Sequence, residues 1–215
     1  MFTLLVVLVV VGSVIGLVLL GPNEYRVERS VLVYAFATDV FSRLNDLRRW
    51  ADWSPWEGLD PGMSKSFSGP ASGIGASYAW WSRNRRVGAG RMTIIESRPD
   101  EVVNITLEFL RPFKSVSNTE LSLRPDSGAT RVTWTMTGTN SFLAKLASLF
   151  MNMDRMIGRD FMKGLSTLKS LCEAEAARPT RSERPAQVGL DERLPGSRPA
   201  AEASDDTIDP SEQAK

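Results

Sequence analysis

RVTWTMTGTNSFLAKLASLFMNMDRMIGRDFMKGLSTLKSLCEAEAA, residues 131–177, decides the fold. In its first seven residues Val132, Trp134 and Met136 alternate with Arg131, Thr133, Thr135 and Thr137. A period of two is a strand with one apolar and one wet face. From Ser141 to about Ala177 the period changes. Leu146, Phe150, Met153, Ile157, Phe161, Gly164, Leu168 and Leu171 step by four and three, a continuous apolar stripe along one long helix. This is the only long helix downstream of the strands, so it must cover the apolar face they present.

Working upstream, residues 63–139 break into short β-like runs at even spacing. Ser64–Phe67, Ala76–Trp81, Gly88–Ser97, Val102–Phe109, Ser115–Leu123 and Arg131–Thr137 are separated by turn signals such as Arg98-Pro99-Asp100 and Pro125–Gly128. Connections this short join antiparallel neighbours, because parallel strands need long crossovers. Tyr25–Ala35, rich in Val and Tyr, reads as a first strand. Thr38 is placed as the N-cap of a short helix over Asp39–Trp50, followed by a turn-rich stretch from Trp53 to Gly62.

The two ends differ from this body. Residues 2–20, FTLLVVLVVVGSVIGLVLL, carry no charge and would span roughly 28 Å as a helix, close to the ~30 Å bilayer core. A cleaved signal would have a shorter apolar region, a basic start and a small-x-small site. Here the run is longer, nothing basic precedes it, and Gly21-Pro22-Asn23-Glu24 follows. The expectation is a single-pass transmembrane anchor. The basic residues after the span argue for a cytoplasmic domain, while the short N-terminus argues for the opposite side, so the sequence leaves the side open. Residues 178–215 hold five prolines and no Phe, Tyr or Trp, and read as a disordered tail. The domain itself is expected over 24–177.

Composition excludes several functions. The 215-residue chain has no histidine, which removes Ser-His-Asp and Cys-His systems and histidine-ligated zinc. A lone cysteine, Cys172, removes disulfides and thiolate clusters. The net charge of +1 argues against a nucleic-acid binder driven by phosphate neutralisation. No cofactor, metal site or catalytic residue is expected. Gly88-x-Gly90 lacks the strand–turn–helix setting of a dinucleotide loop.

The order of elements, one strand, a small helical insert, six antiparallel strands and a long terminal helix, carries a resemblance. Glu24–Ser30, Trp53-Ser54-Pro55-Trp56 with Asp60-Pro61, Phe67–Pro70 with Gly73-x-Gly75-Ala76, Ile94–Ser97 with Pro99, and Met153-Asp154 through Leu168-Lys169 add to it. Over roughly 24–175 the chain resembles the SRPBCC or START-like superfamily, most nearly its bacterial polyketide cyclase/dehydrase and lipid transport group. The resemblance implies an α+β helix-grip fold, an antiparallel sheet curled around the C-terminal helix, with an interior cavity for a hydrophobic ligand. It also implies a bacterial inner-membrane setting for the anchored chain. It supplies no catalytic residues.

Within that fold the candidate cavity residues are Trp50, Trp53, Trp56, Trp80, Met92, Phe109, Trp134, Met136, Met153, Ile157 and Phe161. Tryptophan offers an apolar body with one N–H, and methionine adapts to irregular apolar guests. Packing of the core is the plainer role for most of them. Trp80 and Trp81, being adjacent, must face opposite sides of a strand. Gly158 and Gly164 each cost roughly 1 kcal/mol in a helix, so close packing or room for a ligand must offset them. Glu96, Glu120 and Asp160 are the carboxylates inside regular elements, read as outward or ion-paired. The tip Arg83-Asn84-Arg85-Arg86 reads as a solvated turn, with contact to anionic headgroups as the alternative.

The expected function is a membrane-anchored binding module whose partners are the membrane and a lipid or other hydrophobic small molecule. The rivals are a cyclase-like enzyme that folds a polyketide by shape, and a noncatalytic interaction domain with a filled core.

Overall fold

The computed structural model describes residues 2–140, 145–146 and 152–178. Helix α1 (Phe2–Leu20) is apolar throughout and long enough to cross a membrane, properties a signal sequence shares. Strand β1 (Glu24–Val33) follows, then helix α2 (Ala37–Leu44) and two single-turn 3-10 segments. Strands β2 (Ser64–Ser68), β3 (Ser77–Trp81), β4 (Ala89–Arg98), β5 (Val102–Arg111), β6 (Ser115–Asp126) and β7 (Ala129–Thr139) complete the sheet, and helix α3 (Met153–Ala176) covers it.

All seven strands form one antiparallel sheet in the order β1-β7-β6-β5-β4-β3-β2. Strands β2 to β7 pair in sequence order, as the short connections require. Ser127 and Gly128 both take positive φ in the β6–β7 turn, which matches the strand twist in a two-residue hairpin. The exception is β1, which pairs with β7, Glu24 opposite Thr139 and Val33 opposite Thr130. Helix α3 lies across the inner face, closest to β1, in the helix-grip arrangement. Arg29 on β1 fastens its first turn through two hydrogen bonds to the Asp154 carboxylate, at 3.0 and 2.9 Å. A Cβ on Gly158 would lie 2.1 Å from the Arg29 guanidinium, so close packing offsets this glycine.

Two helices depart from the sequence expectation. The long helix does not run unbroken from Ser141. Asn152 is extended and its side chain accepts the Arg155 N–H at 2.9 Å, an N-cap that starts α3 at Met153. Phe150, placed on the same stripe, lies outside the described residues, as does the tail beyond residue 178. Thr38 sits inside α2, and its hydroxyl donates to Asp100 instead of capping. Helix α2 ends at Leu44 because Asp46 turns its carboxylate onto the Arg48 N–H, an Asx-type bond that competes with helix. Trp50 therefore stands in the separate 3-10 turn Arg49–Asp52.

The interior has two halves. Away from the start of β1, Val33, Val40, Leu44, Val103, Leu121, Val132, Leu165 and Leu168 fill the space completely. Toward the start of β1 the side chains no longer meet.

Candidate ligand cavity

In that second half a cavity of about 870 Å³ separates the sheet from α3. This lies within the range of small-molecule pockets. Its floor is Trp50, Trp134 and Met136, its walls Tyr25, Met92, Leu107 and Phe109, and its roof Met153, Met156 and Ile157 from the first two turns of α3. Trp56 and Trp80 close the side toward β3. Trp80 lies over Gly90, where a Cβ would come within 2.5 Å of its indole, and its Nε1 donates to the Val87 carbonyl at 3.2 Å. Trp81 points to the opposite face and is exposed, as adjacency on a strand demands.

The floor rests on an aromatic stack. Phe161 lies flat against Trp134 with ring centroids 4.2 Å apart, and Trp53 meets Trp134 edge-on at 5.4 Å. Both are fully buried and back the lining without forming it. The expectation that Trp53 and Phe161 contact the cavity is corrected accordingly: Phe161 spends its face on flat stacking against Trp134, and Trp53 is packed between Trp50 and Trp134. Trp50 donates Nε1 to the Leu44 carbonyl at 3.0 Å. Gly164 lets α3 approach, since a Cβ there would be 3.0 Å from Pro55 and 3.1 Å from Trp134.

Polar groups enter the cavity where the sequence pattern misleads. On β6 it is Ser115, Ser117 and Thr119 that face inward and Val116 that faces out, the reverse of the usual alternation. The Tyr25 hydroxyl and Ser117 Oγ are 2.7 Å apart. Alternation assigns such hydroxyls to the wet face, so only the register with β5 and β7 reveals them. Tyr78 donates its hydroxyl to Glu57 Oε1 at 2.8 Å, and Glu57 also pairs with Lys65. Burial, and then the Glu57 carboxylate, push the Tyr78 phenol well above its usual range, so it stays a neutral donor. Arg86, Arg159, Asp160 and Lys163 line the outer part of the cavity. Of the other carboxylates considered, Glu96 accepts from Asn104 on the outer face and Glu120 is exposed. Chemically, the arrangement can enclose an apolar body, offer hydroxyls to an oxygen function inside, and meet a polar end with charge at the mouth.

A sheet curled over one long helix, with an apolar cavity held open at one end, defines the helix-grip class of ligand-cavity proteins. The chain belongs to the polyketide cyclase/dehydrase and lipid transport family, whose profile matches residues 24–173. Solved structures share the fold at low identity. The di-domain ARO/CYC StfQ of the steffimycin biosynthetic pathway matches with a TM-score of 0.55 and 13% identity, over 73% of this chain and 53% of its own. Protein MLL2253 from Mesorhizobium loti matches with a TM-score of 0.52 and 11% identity, over 72% of this chain and 100% of its own. Aha1 from Colwellia psychrerythraea gives 0.50 and 13%, over 69% and 96%. Among curated proteins none matches the chain. The family defines a hydrophobic-ligand-binding or polyketide cyclase-like domain.

Proposed function

We propose that this protein is a membrane-anchored binding module, held by α1, that takes a lipid or another hydrophobic small molecule into the cavity between sheet and α3. The observation that carries this reading is the cavity itself, about 870 Å³ and lined mainly by apolar and aromatic side chains, Trp and Met foremost. Burying apolar ligand surface there gains about 25 cal/mol per Å² before the costs of association. An interior filled by its own side chains, as a purely structural interaction domain would have, is at odds with that volume. The test uses the full chain in proteoliposomes with a diazirine-bearing phospholipid. Crosslinks on peptides of β4, β5 and β7 are expected, and they should be lost in Leu107→Trp, which places a large ring in the cavity. Crosslinks confined to α1, or unchanged in Leu107→Trp, would overturn the reading.

A second reading has its own observation. Tyr25, Ser115 and Thr119 put hydroxyls among apolar walls, and hydroxyls can fix the fold of a polycarbonyl chain by orientation alone. StfQ, similar in fold, is described as a di-domain ARO/CYC of the steffimycin biosynthetic pathway. Accelerated, regioselective cyclisation of a synthetic poly-β-ketone thioester by the chain, lost in Leu107→Trp, would favour it.

A further inference from the structure

The end of the sheet where β1 starts brings together features that are distant in sequence. Strands β3, β5 and β7 finish there and β4 and β6 begin there, so the β3–β4 tip (82–88) and the β5–β6 tip (110–116) stand side by side. The contact is tight: a Cβ on Gly88 would sit 2.1 Å from the Arg111 carbonyl oxygen. Helix α1 joins at the same end through Gly21–Asn23. That link is pinned, not loose. Asn140 Nδ2 donates to the Pro22 carbonyl at 3.1 Å and its backbone N–H to the Asn23 carbonyl at 2.7 Å, while Lys145 Nζ donates to the Gly21 carbonyl at 2.9 Å.

The outer surface at this end is neither polar nor neutral. Further along the same strands the outward residues are Asn104, Thr106 and Asn118, but at the tips they become Trp81, Leu110, Phe113 and Val116, all exposed. Phe113 is 73% exposed at the apex of its turn. Around them stand Arg83, Arg85, Arg111 and Lys114, with no acidic residue in either tip. None of these four cations makes an ion pair among the described residues. The opposite end differs in charge: its hairpin tips carry Asp100, Glu101 and Asp126, with Arg98 and Arg131 paired to the last two, and of its exposed aromatics, Tyr34 and Phe36, the latter at 79% lies near Asp39. Apolar and aromatic side chains ringed by unpaired cations suit the boundary between headgroups and acyl chains.

We propose that the β3–β4 and β5–β6 tips are a second membrane contact. On this view Phe113 and Leu110 insert at the interface of the bilayer that α1 enters, and the four cations lie against anionic phospholipid headgroups. The inference rests on the reading of α1 as a membrane span. Each cation at such a surface favours the docked pose by roughly fivefold. The pinned link and the docked tips then fix the domain at two points. The side of the cavity lined by Arg86, Ser115 and Met153 is held at the headgroup layer, where a lipid passes in without crossing bulk water.

Site-directed spin labelling of the full chain tests this. Phe113→Cys and Phe36→Cys are labelled with a nitroxide; the native Cys172 is buried, and burial pushes its thiol up to about 11, so it does not react. The chain is reconstituted into vesicles of mixed phosphatidylethanolamine and phosphatidylglycerol, or of phosphatidylcholine alone, and floated on a density gradient. In the anionic vesicles the label at 113 should be accessible to oxygen and shielded from a water-soluble relaxant, and the label at 36 should show the reverse. Arg83→Gln, Arg85→Gln and Arg111→Gln together should return position 113 to water. A chain that floats but keeps position 113 in water overturns the docking proposal alone. The same holds if 113 is immobilised without oxygen access, which would indicate a protein partner. A chain that does not float overturns the anchor reading itself.

Discussion

Trp53 and Trp56 lie three residues apart and have opposite jobs. Trp53 is sealed beneath the floor against Trp50 and Trp134, while Trp56 forms part of the cavity wall. Removing a fully buried indole leaves a void, so Trp53→Ala should cost about 3–5 kcal/mol of stability. Trp56→Ala should cost markedly less but reduce phospholipid crosslinking. Urea unfolding followed by tryptophan emission measures the first, since none of the six tryptophans lies in α1. A second pair of residues separates packing from propensity. Gly90→Ala drives a Cβ into both the Trp80 indole and the Glu108 carbonyl, each 2.5 Å away, and overpacking of that kind costs about 1–3 kcal/mol. Gly158→Ala drives a Cβ into the Arg29 guanidinium, which can swing away only by giving up its bonds to Asp154, so the roughly 1 kcal/mol gained in helix propensity is offset and the unfolding midpoint should stay near the native value. Apolar residues of the candidate cavity such as Met92, Phe109, Trp134 and Met136 could be named from the sequence, because they fall on the inward-facing alternation of their strands. Leu107 and Tyr78 were legible in principle, each two residues from an identified neighbour. Ser115, Ser117 and Thr119 were not, since a hydroxyl turned inward has the same signature as one turned outward.

At the level of elements, the strands followed from alternation and turn signals, and their observed ends differ from expectation by a few residues. The helix boundaries did not follow, because they depend on single side chains. The apolar stripe passes straight through Asn152, and only the bond from the Arg155 N–H shows that a helix starts there. The join between α3 and β1 should carry a pH dependence. The Arg29 guanidinium holds the Asp154 carboxyl below its usual range, as Arg43 does for Glu175 and Arg131 for Asp126. For Glu28 the main cause is Arg26, with Thr135 adding to it. A carboxylate with a depressed folded-state pKa contributes stability that is present above its unfolded value, about 4, and is lost as pH falls through the folded value. The urea midpoint should therefore fall as pH drops below about 4. Asp154→Asn should remove part of that slope while leaving the midpoint at pH 7 only slightly lower, because the Asp154 carboxylate is more than half exposed and its charge is screened. A midpoint independent of pH down to 2 would contradict this account.

For the whole molecule, the geometry of attachment governs what the cavity can reach. Between Leu20 and Glu24 only three residues intervene, spanning at most about 14 Å between those Cα atoms, and hydrogen bonds to Asn140 shorten their freedom further. If α1 spans a membrane as proposed, this short link favours lipid uptake from the adjacent leaflet over transport across the cell. A flexible insert of ~20 Gly/Ser residues after Pro22 adds an r.m.s. span of about 25 Å. It should lower the yield of phospholipid crosslinks in the cavity while leaving the unfolding midpoint of the domain unchanged. An equal yield would separate ligand capture from tethering.

The pairing of β1 with β7 also sets a timetable. Strand β1 is among the first parts of the chain to be synthesised, but its partner residues, Thr130 to Thr139, follow about a hundred residues later. At typical elongation rates of about 5–20 residues per second, β1 waits roughly 5–20 s with its backbone unpaired. Every other strand meets a neighbour almost at once. A waiting strand risks pairing with the wrong chain, and charges along it oppose that. Arg26, Glu28 and Arg29 supply them, in the middle of an otherwise strongly β-forming run. Strand β1 is thus the last to be latched, and the latch is Trp134's own strand, so the arrival of β7 both completes the seven-stranded sheet and sets the central side chain of the cavity floor.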